Sequence, residues 1–255
     1  MRIAVCLKQV VTRESPVRLD RAGSWIDETQ AGWELNEPDA YALEAALRLR
    51  EQHGGEVVAV SAGPARVMQV LREALARGAD RALHVAGDHL AAADANTTSH
   101  ALAAALQDDT ADLVLTGLQS DDQGAGQVGV MLAEWLGAPH ASIVMAIEVS
   151  GTTLKVKREL ENGWSQWLTL PLPAVLTIQS GINQLRYATL KGIMGAKKKD
   201  IRTVPASPST PSQRIVRLFV PERAKKTEII GGTPAEAAAE LVRALRDRAR
   251  VIEGR

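Results

Sequence analysis

Through the first half of the chain, short apolar runs alternate with longer stretches that repeat their apolar residues at helical spacing. Ile3 to Leu7, Glu56 to Ser61, Ala82 to Val85 and Leu113 to Thr116 are nearly continuous in small and branched apolar residues, the pattern of strands buried on both faces. Between them the spacing predicts helices. One starts at Asn36-Glu37-Pro38-Asp39, read as a capping residue with early acids, and carries Ala42, Leu43, Ala46, Leu47 and Leu49 on one face. Others run from Pro64 to about Arg77, from Thr97 to Leu106, and from Gln127 to Leu136, where Gly137-Ala138-Pro139 stops the last. Strands alternating with helices imply a parallel sheet with right-handed connections, covered on both faces.

Beyond Pro139 the period shortens. Ile143–Val149, Thr153–Arg158 and Ser165–Leu170 read as strands joined at Gly151 and at Asn162-Gly163, hairpin chemistry at a sheet edge. Pro173 to Ile178 is one more buried strand. Residues 12 to 33 are irregular, with a small hairpin expected for Val17–Leu19 and Ser24–Ile26. After Ile178 the chain is expected to leave the sheet. PASPSTPSQ over 205–213 is a linker by composition, followed by a strand-like Val216–Val220, a charged turn, and a helix from Pro234 to about Arg248. The expected fold is α/β, a three-layer, doubly wound, mostly parallel sheet of the adenine-nucleotide-binding type, with a β-hairpin edge and an extended C-terminal arm. Residues 1–204 form the nucleotide-binding domain, including a loop over 183–200, and 205–255 the linker and arm. The arm's apolar stripe of Ala237, Leu241, Val242 and Leu245 is too small for a core of its own and needs this domain or another chain to pack on.

Composition sharpens this picture at few points. Apolar residues make up 45% of the chain and aromatics only 3%, so the core rests on Ala, Val, Leu and Ile. Thirty basic residues balance thirty acidic ones, which argues against broad nucleic-acid binding. A single cysteine, Cys6, excludes an intrachain disulfide framework. No apolar run reaches the length of a membrane span, and the N-terminus moves directly into a strand pattern, so a soluble cytoplasmic protein is expected.

The candidate chemistry centres on Asp112 to Met131, where an apolar strand runs into a polar, glycine-bearing loop and then a helix. Such a loop presents main-chain N–H groups at the positive end of a helix to an anion. Gly124-Ala125-Gly126-Gln127-Val128-Gly129 matches G-x-G-x-x-G literally. It follows the fourth predicted strand rather than the first, which argues against a dinucleotide fingerprint and an NAD-dependent dehydrogenase. No G-x-x-x-x-G-K-[ST] occurs, and the five histidines lack metal-ligand spacing. The carboxyl ends of the strands, at Cys6-Leu7-Lys8, Ser61-Ala62-Gly63 and beyond Thr116, converge on one edge, where ligands of open α/β sheets bind. A stand-alone ATP-binding α/β module also fits these features.

The chain resembles the beta subunit of electron transfer flavoprotein from Ile3 through Arg248. The resemblance is carried by Val156-Lys157-Arg158-Glu159-Leu160-Glu161-Asn162-Gly163 with Leu170-Pro171-Leu172-Pro173-Ala174-Val175-Leu176-Thr177, and by Arg186-Tyr187-Ala188-Thr189-Leu190 with Ala196-Lys197-Lys198-Lys199. Leu35 to Asp39 and Ser61 to Pro64 add to it. It implies a heterodimer with a larger alpha subunit that holds most of the FAD. It further implies electron transfer from flavoprotein dehydrogenases, such as acyl-CoA or amine dehydrogenases, to a membrane quinone oxidoreductase, without catalytic residues on this chain. In the common form the beta subunit binds AMP structurally. Carried onto this sequence, the nucleotide contacts fall on Cys6, Asn36, Glu37, Pro38, Asp39 and Ala62. They continue on Gly117, Leu118, Gln119, Ser120, Asp121, Asp122, Gln123, Gly124, Ala125, Gly126, Gln127 and Val128. Partner docking falls on Leu190, an exposed anchor, and on Lys197, Lys198 and Lys199. Val128 stands where many members have threonine, so the resemblance implies that backbone N–H groups replace a hydroxyl there. Gln127-Val128-Gly129 is similar to the electron-bifurcating branch, whose beta subunit holds a second FAD, whereas Leu35-Asn36-Glu37, Gly117 to Gln123, Gly181-Ile182-Asn183 and Val220-Pro221-Glu222 resemble bacterial members of the AMP type.

Overall fold

The computed structural model describes residues 1–208, 210–221 and 227–252, so the charged turn expected around 222–226, Glu222 included, lies outside the described residues. Two compact units emerge, Met1–Leu218 and Phe219–Arg255.

The first unit opens with strand β1 (Arg2–Cys6), a short β2 (Gln9–Val11) and β3 (Trp33–Leu35), then helix α1 (Glu37–His53). It continues through β4 (Glu56–Gly63), α2 (Met68–Arg77), β5 (Arg81–Ala86), α3 (Ala95–Gln107), β6 (Leu113–Gly117) and α4 (Val128–Leu136). Strands β7 (His140–Ser150), β8 (Thr153–Glu159), β9 (Ser165–Pro171) and β10 (Ala174–Ile178) follow, then α5 (Leu190–Ala196) and β11 (Ile201–Pro205). Nine strands form one sheet in the order β11-β5-β4-β1-β6-β10-β7-β8-β9. Every pair from β11 to β7 is parallel, and β7-β8-β9 is an antiparallel edge.

Alternation along the central strands splits the core into two layers. Ile3, Val5, Val57 and Ala59 face one side, in the cluster that takes Leu43, Leu47, Leu71 and Leu75 from α1 and α2. Ala4, Cys6, Val58 and Val60 face the other, with Leu102 and Leu106 of α3 and Leu132 of α4. The expected three-layer α/β architecture is present. The largest fully buried side chains are leucines and isoleucines, as the low aromatic content demands.

Several local expectations need correction. The chain does not leave the sheet after Ile178: Ile201–Pro205 returns as β11, in parallel register with Ala82–Ala86. The region from Val17 to Ile26 closes through a single bridge, Leu19 with Ile26, because Asp20 accepts from the Ser24 and Trp25 amides and shapes a wider turn. Val216–Val220 forms no strand, the Leu218 N–H donating instead to the carbonyl of Gly23 at 2.8 Å. In the second unit, α6 (Pro234–Arg243) is started by a capping box between Thr233 and Glu236 and ends in a wider turn over Ala244–Arg248. Among the described residues no helix is long and apolar enough to cross a membrane.

Candidate functional site

Strand order reverses about β1, with β4 and β5 on one side and β6 and β10 on the other. At such a point the loops leaving neighbouring strands diverge and open a crevice at their carboxyl ends. A cleft lies there, lined by Cys6 and Lys8 after β1, Ala62 of β4, and Thr116 and Gly117 of β6. Leu90, Ala91, Ala93, Ala95, Thr98 and Leu102 form an opposite wall of mostly small or apolar side chains. The loop after β6 and the first turn of α4 close it.

Three side chains shape this cleft from below. Asp39, buried in the first turn of α1, accepts the Lys8 N–H at 2.7 Å and the Gly117 N–H at 2.8 Å, tying the ends of β1 and β6 together. Burial pushes its carboxyl up to about 6, against the two N–H donors that favour the charged form. Asn36 does not cap α1 as its position predicts. Its amide instead donates to the carbonyl of Gln119 at 3.1 Å, and its oxygen accepts the Asp121 N–H at 3.0 Å, so one side chain pins the loop after β6. Lys8 reaches the same loop from β1, donating to Ser120 Oγ at 3.2 Å, Asp122 Oδ1 at 2.7 Å and Gln123 Oε1 at 3.2 Å. Burial raises the Asp122 carboxyl, but the Lys8 ammonium outweighs it and holds the group below its ordinary value.

Within the loop Gly124 and Gly126 take left-handed φ values of 62° and 64°, which non-glycine residues adopt at a cost. The turn delivers Gln127 to the start of α4, and its side chain makes no capping hydrogen bond. The first N–H groups of a helix have no intrahelical acceptor, and Val128 and Gly129, which carry two of them, line the cleft. This end suits an anion and the alanine-lined wall suits a flat apolar ring. Cys6 belongs to the wall: burial, with the Asp39 charge second, pushes its thiol up to about 12, far from a nucleophile's range. Among the described residues no cluster of His, Cys, Asp and Glu could hold a metal ion.

Of the residues singled out from sequence, Cys6, Asn36, Asp39, Ala62, Gly117, Leu118, Gln119, Ser120, Gln123, Ala125, Gly126, Gln127 and Val128 come together on the cleft. Glu37, Pro38, Asp121, Asp122 and Gly124 do not line it. Glu37 and Asp121 both pair with Arg13, and Asp122 with Lys8. Thr98 and Leu102 line the cleft without having been singled out, and Lys8 and Thr116, placed from sequence only at the ligand edge, line it as well. A cation at the end of the first strand was the available signal for Lys8.

The second group of candidates lies apart, on α5. Leu190, its first residue, is 75% exposed, and Tyr187, Ile193 and Met194 are exposed beside it. Thr189 caps the helix by accepting the Gly192 N–H. Lys197 and Lys198 are exposed where the helix ends. Lys199 turns back and donates to the carbonyls of Leu75 and Ala79 at the end of α2.

Residues 24–209 match the family model described as the electron transfer flavoprotein domain. The chain belongs to the electron transfer flavoprotein beta-subunit family. It is 35% identical to the beta subunit of Methylophilus methylotrophus over 97% of this chain and 98% of that protein. It is 34% identical to the Bacillus subtilis beta subunit over 99% and 100%, and 34% identical to the Sus scrofa beta subunit over 98% and 99%. Like other electron transfer flavoprotein beta subunits, the chain is an electron-transfer protein, and the family model covers α5 and the cleft-lining residues from Asn36 to Gly129, but not Cys6, Leu7 and Lys8.

Proposed function

We propose that this chain is the small subunit of a heterodimeric, FAD-containing electron carrier that works in the cytoplasm and binds AMP in the cleft as a structural nucleotide. The alpha partner holds most of the FAD, which supplies the redox chemistry when bound. The carrier accepts electrons from flavoprotein dehydrogenases such as acyl-CoA or amine dehydrogenases and passes them to a membrane quinone oxidoreductase. The observation that carries the structural-nucleotide reading is how the polar side chains at the cleft are used. Both Asp39 oxygens, the Asn36 amide and the Lys8 ammonium are engaged with backbone and loop. None is left poised as an acid, base or nucleophile. The residues fit AMP. Ala62, Ala91 and Ala93 would take the adenine, and the uncapped start of α4 the phosphate.

In this reading Leu190 is the hydrophobic anchor for the dehydrogenase and Lys197 and Lys198 steer an acidic partner, an arrangement suited to a transient complex. Lys199 belongs to the same basic run but supports the base of the loop. Residues 205–255 serve as linker and arm on the alpha subunit. Exposed apolar side chains there, including Phe219, Ile229 and Leu241, support a partner surface rather than a stand-alone module.

One feature favours a second reading. Val128 puts no hydroxyl at the head of α4, and Gln127-Val128-Gly129 resembles the electron-bifurcating branch, whose beta subunit holds its own FAD. Releasing nucleotide from the purified heterodimer and identifying it decides the matter. AMP near one per heterodimer supports the structural reading, and two FAD without AMP overturns it.

A further inference from the structure

The exposed helix α5 is held from two sides. At its back, Arg72 donates to the carbonyls of Ala196 and Lys199 at 2.7 and 2.8 Å. Gly192 lies so close to the Ala76 carbonyl of α2 that any Cβ there would collide with it. At its front the chain from Ile182 to Thr189 has no regular structure of its own, yet it leads directly into Leu190. That approach is fastened to the outer face of α1. Asn183 donates to the Tyr41 carbonyl at 3.0 Å and Arg48 to the Gln184 carbonyl at 2.8 Å.

Arg186 makes the densest of these ties. Its guanidinium donates through Nε and Nη2 to both oxygens of Glu44, at 2.7 and 3.2 Å, and also to both oxygens of Glu51. Glu44 is buried, its side chain 4% exposed, and it also accepts from Arg48 at 2.6 Å. Burial raises the Glu44 carboxyl, and Arg186 and Arg48 outweigh that and keep it charged. Four hydrogen bonds in one plane fix a guanidinium in orientation as well as position. Tyr187 follows it directly in the chain and Leu190 comes three residues later.

We infer that Arg186 is the positioning residue of the docking surface, its fork onto Glu44 and Glu51 holding the approach to α5 so that Leu190 is presented in one pose before a partner arrives. The inference rests on the docking reading of Leu190 given above. An anchor ordered in advance spares the encounter the entropy of ordering several backbone residues. Loss of the fork therefore weakens recognition without touching the electron-transfer chemistry. The geometry also supplies a variant that folds. In Arg186→Gln the buried Glu44 carboxylate keeps its Arg48 partner, so no unpaired charge is left in the interior.

The test uses the intact heterodimer and whichever of an acyl-CoA and an amine dehydrogenase reduces the unmodified complex. Hydrogen exchange is expected to quicken roughly tenfold or more at the Gly192 and Ile193 amides, which donate to Thr189, in Arg186→Gln, while α2 and the nucleotide cleft keep their protection. The KM for the carrier is expected to rise roughly tenfold, with kcat at saturation and FAD content unchanged. Glu51→Gln, which removes only the exposed half of the fork, is expected to give a smaller rise, and Arg186→Lys an intermediate one. Combining Arg186→Gln with Leu190→Ala is expected to add little to Leu190→Ala alone, since a pose matters only while the anchor exists. Unchanged exchange and KM in Arg186→Gln, alongside a raised KM in Leu190→Ala, overturn the positioning role alone. Quickened exchange with no KM effect from either substitution overturns the docking reading itself.

Discussion

Asp39 and Gly117 meet where α1 passes over the end of β6, the Gly117 N–H donating to the Asp39 carboxylate at 2.8 Å with both residues buried. The approach is close because position 117 has no side chain: a Cβ there would run into the same carboxylate oxygen and into Pro38. One contact thus joins the loop after β6, the central strand and the helix that also carries Glu44.

Gly117→Ala is therefore expected to force α1 and β6 apart. Overpacking of this kind costs about 1–3 kcal/mol, and the displacement falls on the cleft floor. The heterodimer should purify with less than half of its normal complement of cleft nucleotide and a lower denaturation midpoint. Normal nucleotide content would show that the floor can shift without disturbing the site.

The raised Asp39 carboxyl makes a signed pH prediction. In the folded chain it titrates near 6 rather than at the ordinary 3.8, so the native state binds this proton more tightly than the unfolded state does. Its contribution to stability is therefore fully present below about 4 and lost as pH rises through about 6. Comparison of the heterodimer with its Asp39→Asn variant across this range isolates the effect. The stability difference between the two should shift against the unmodified protein by on the order of 2–3 kcal/mol from pH 4 to 7. A difference that stays flat with pH would place the titration elsewhere.

Lys8→Met removes the three hydrogen bonds that reach the loop after β6 and leaves Asp122 without its cation. The loop stays pinned by Asn36, so the fold is expected to persist. Nucleotide release should accelerate by roughly tenfold, corresponding to a loss of one charge-assisted hydrogen-bond set. Stopped-flow displacement with excess AMP measures it directly.

Val128→Thr places a hydroxyl at the first residue of α4, facing the cleft. If an anion sits at this helix start, one added hydrogen bond is worth about 0.5–1.5 kcal/mol, and AMP affinity should rise several-fold. An unchanged affinity would mean that the phosphate lies away from the head of α4.

The order of strands and helices was legible because each is announced by neighbours in the chain: continuous apolar runs such as Val57 to Val60, a helical stripe such as Leu43 and Leu47, Gly137 at a helix end. The loop after β6 was legible for the same reason, its glycines and polar residues lying side by side. Ile201–Pro205 was not. Only Ile201 and Val204 are partly buried, Arg202, Thr203 and Pro205 being exposed, so no strand period shows, and it becomes a strand only by backbone pairing to β5, more than a hundred positions earlier. Asn36 shows the same limit. Sequence placed it correctly at the start of α1 and predicted a cap, but its side chain went to a loop 83 and 85 positions away.

Local pattern alone thus determined the three-layer α/β architecture, the carboxyl edge on which a ligand would sit and, by resemblance, the family. Tertiary structure decided what holds those pieces in place: Lys8 across to Ser120 and Asp122, Asp39 between β1 and β6, and Arg186 onto Glu44. The reason is physical. Elements form from contacts a few residues apart and leave a periodic trace in the sequence. The clamps join residues separated by 31 to 142 positions, and nothing periodic in a chain records which distant partner its fold will bring within hydrogen-bond reach.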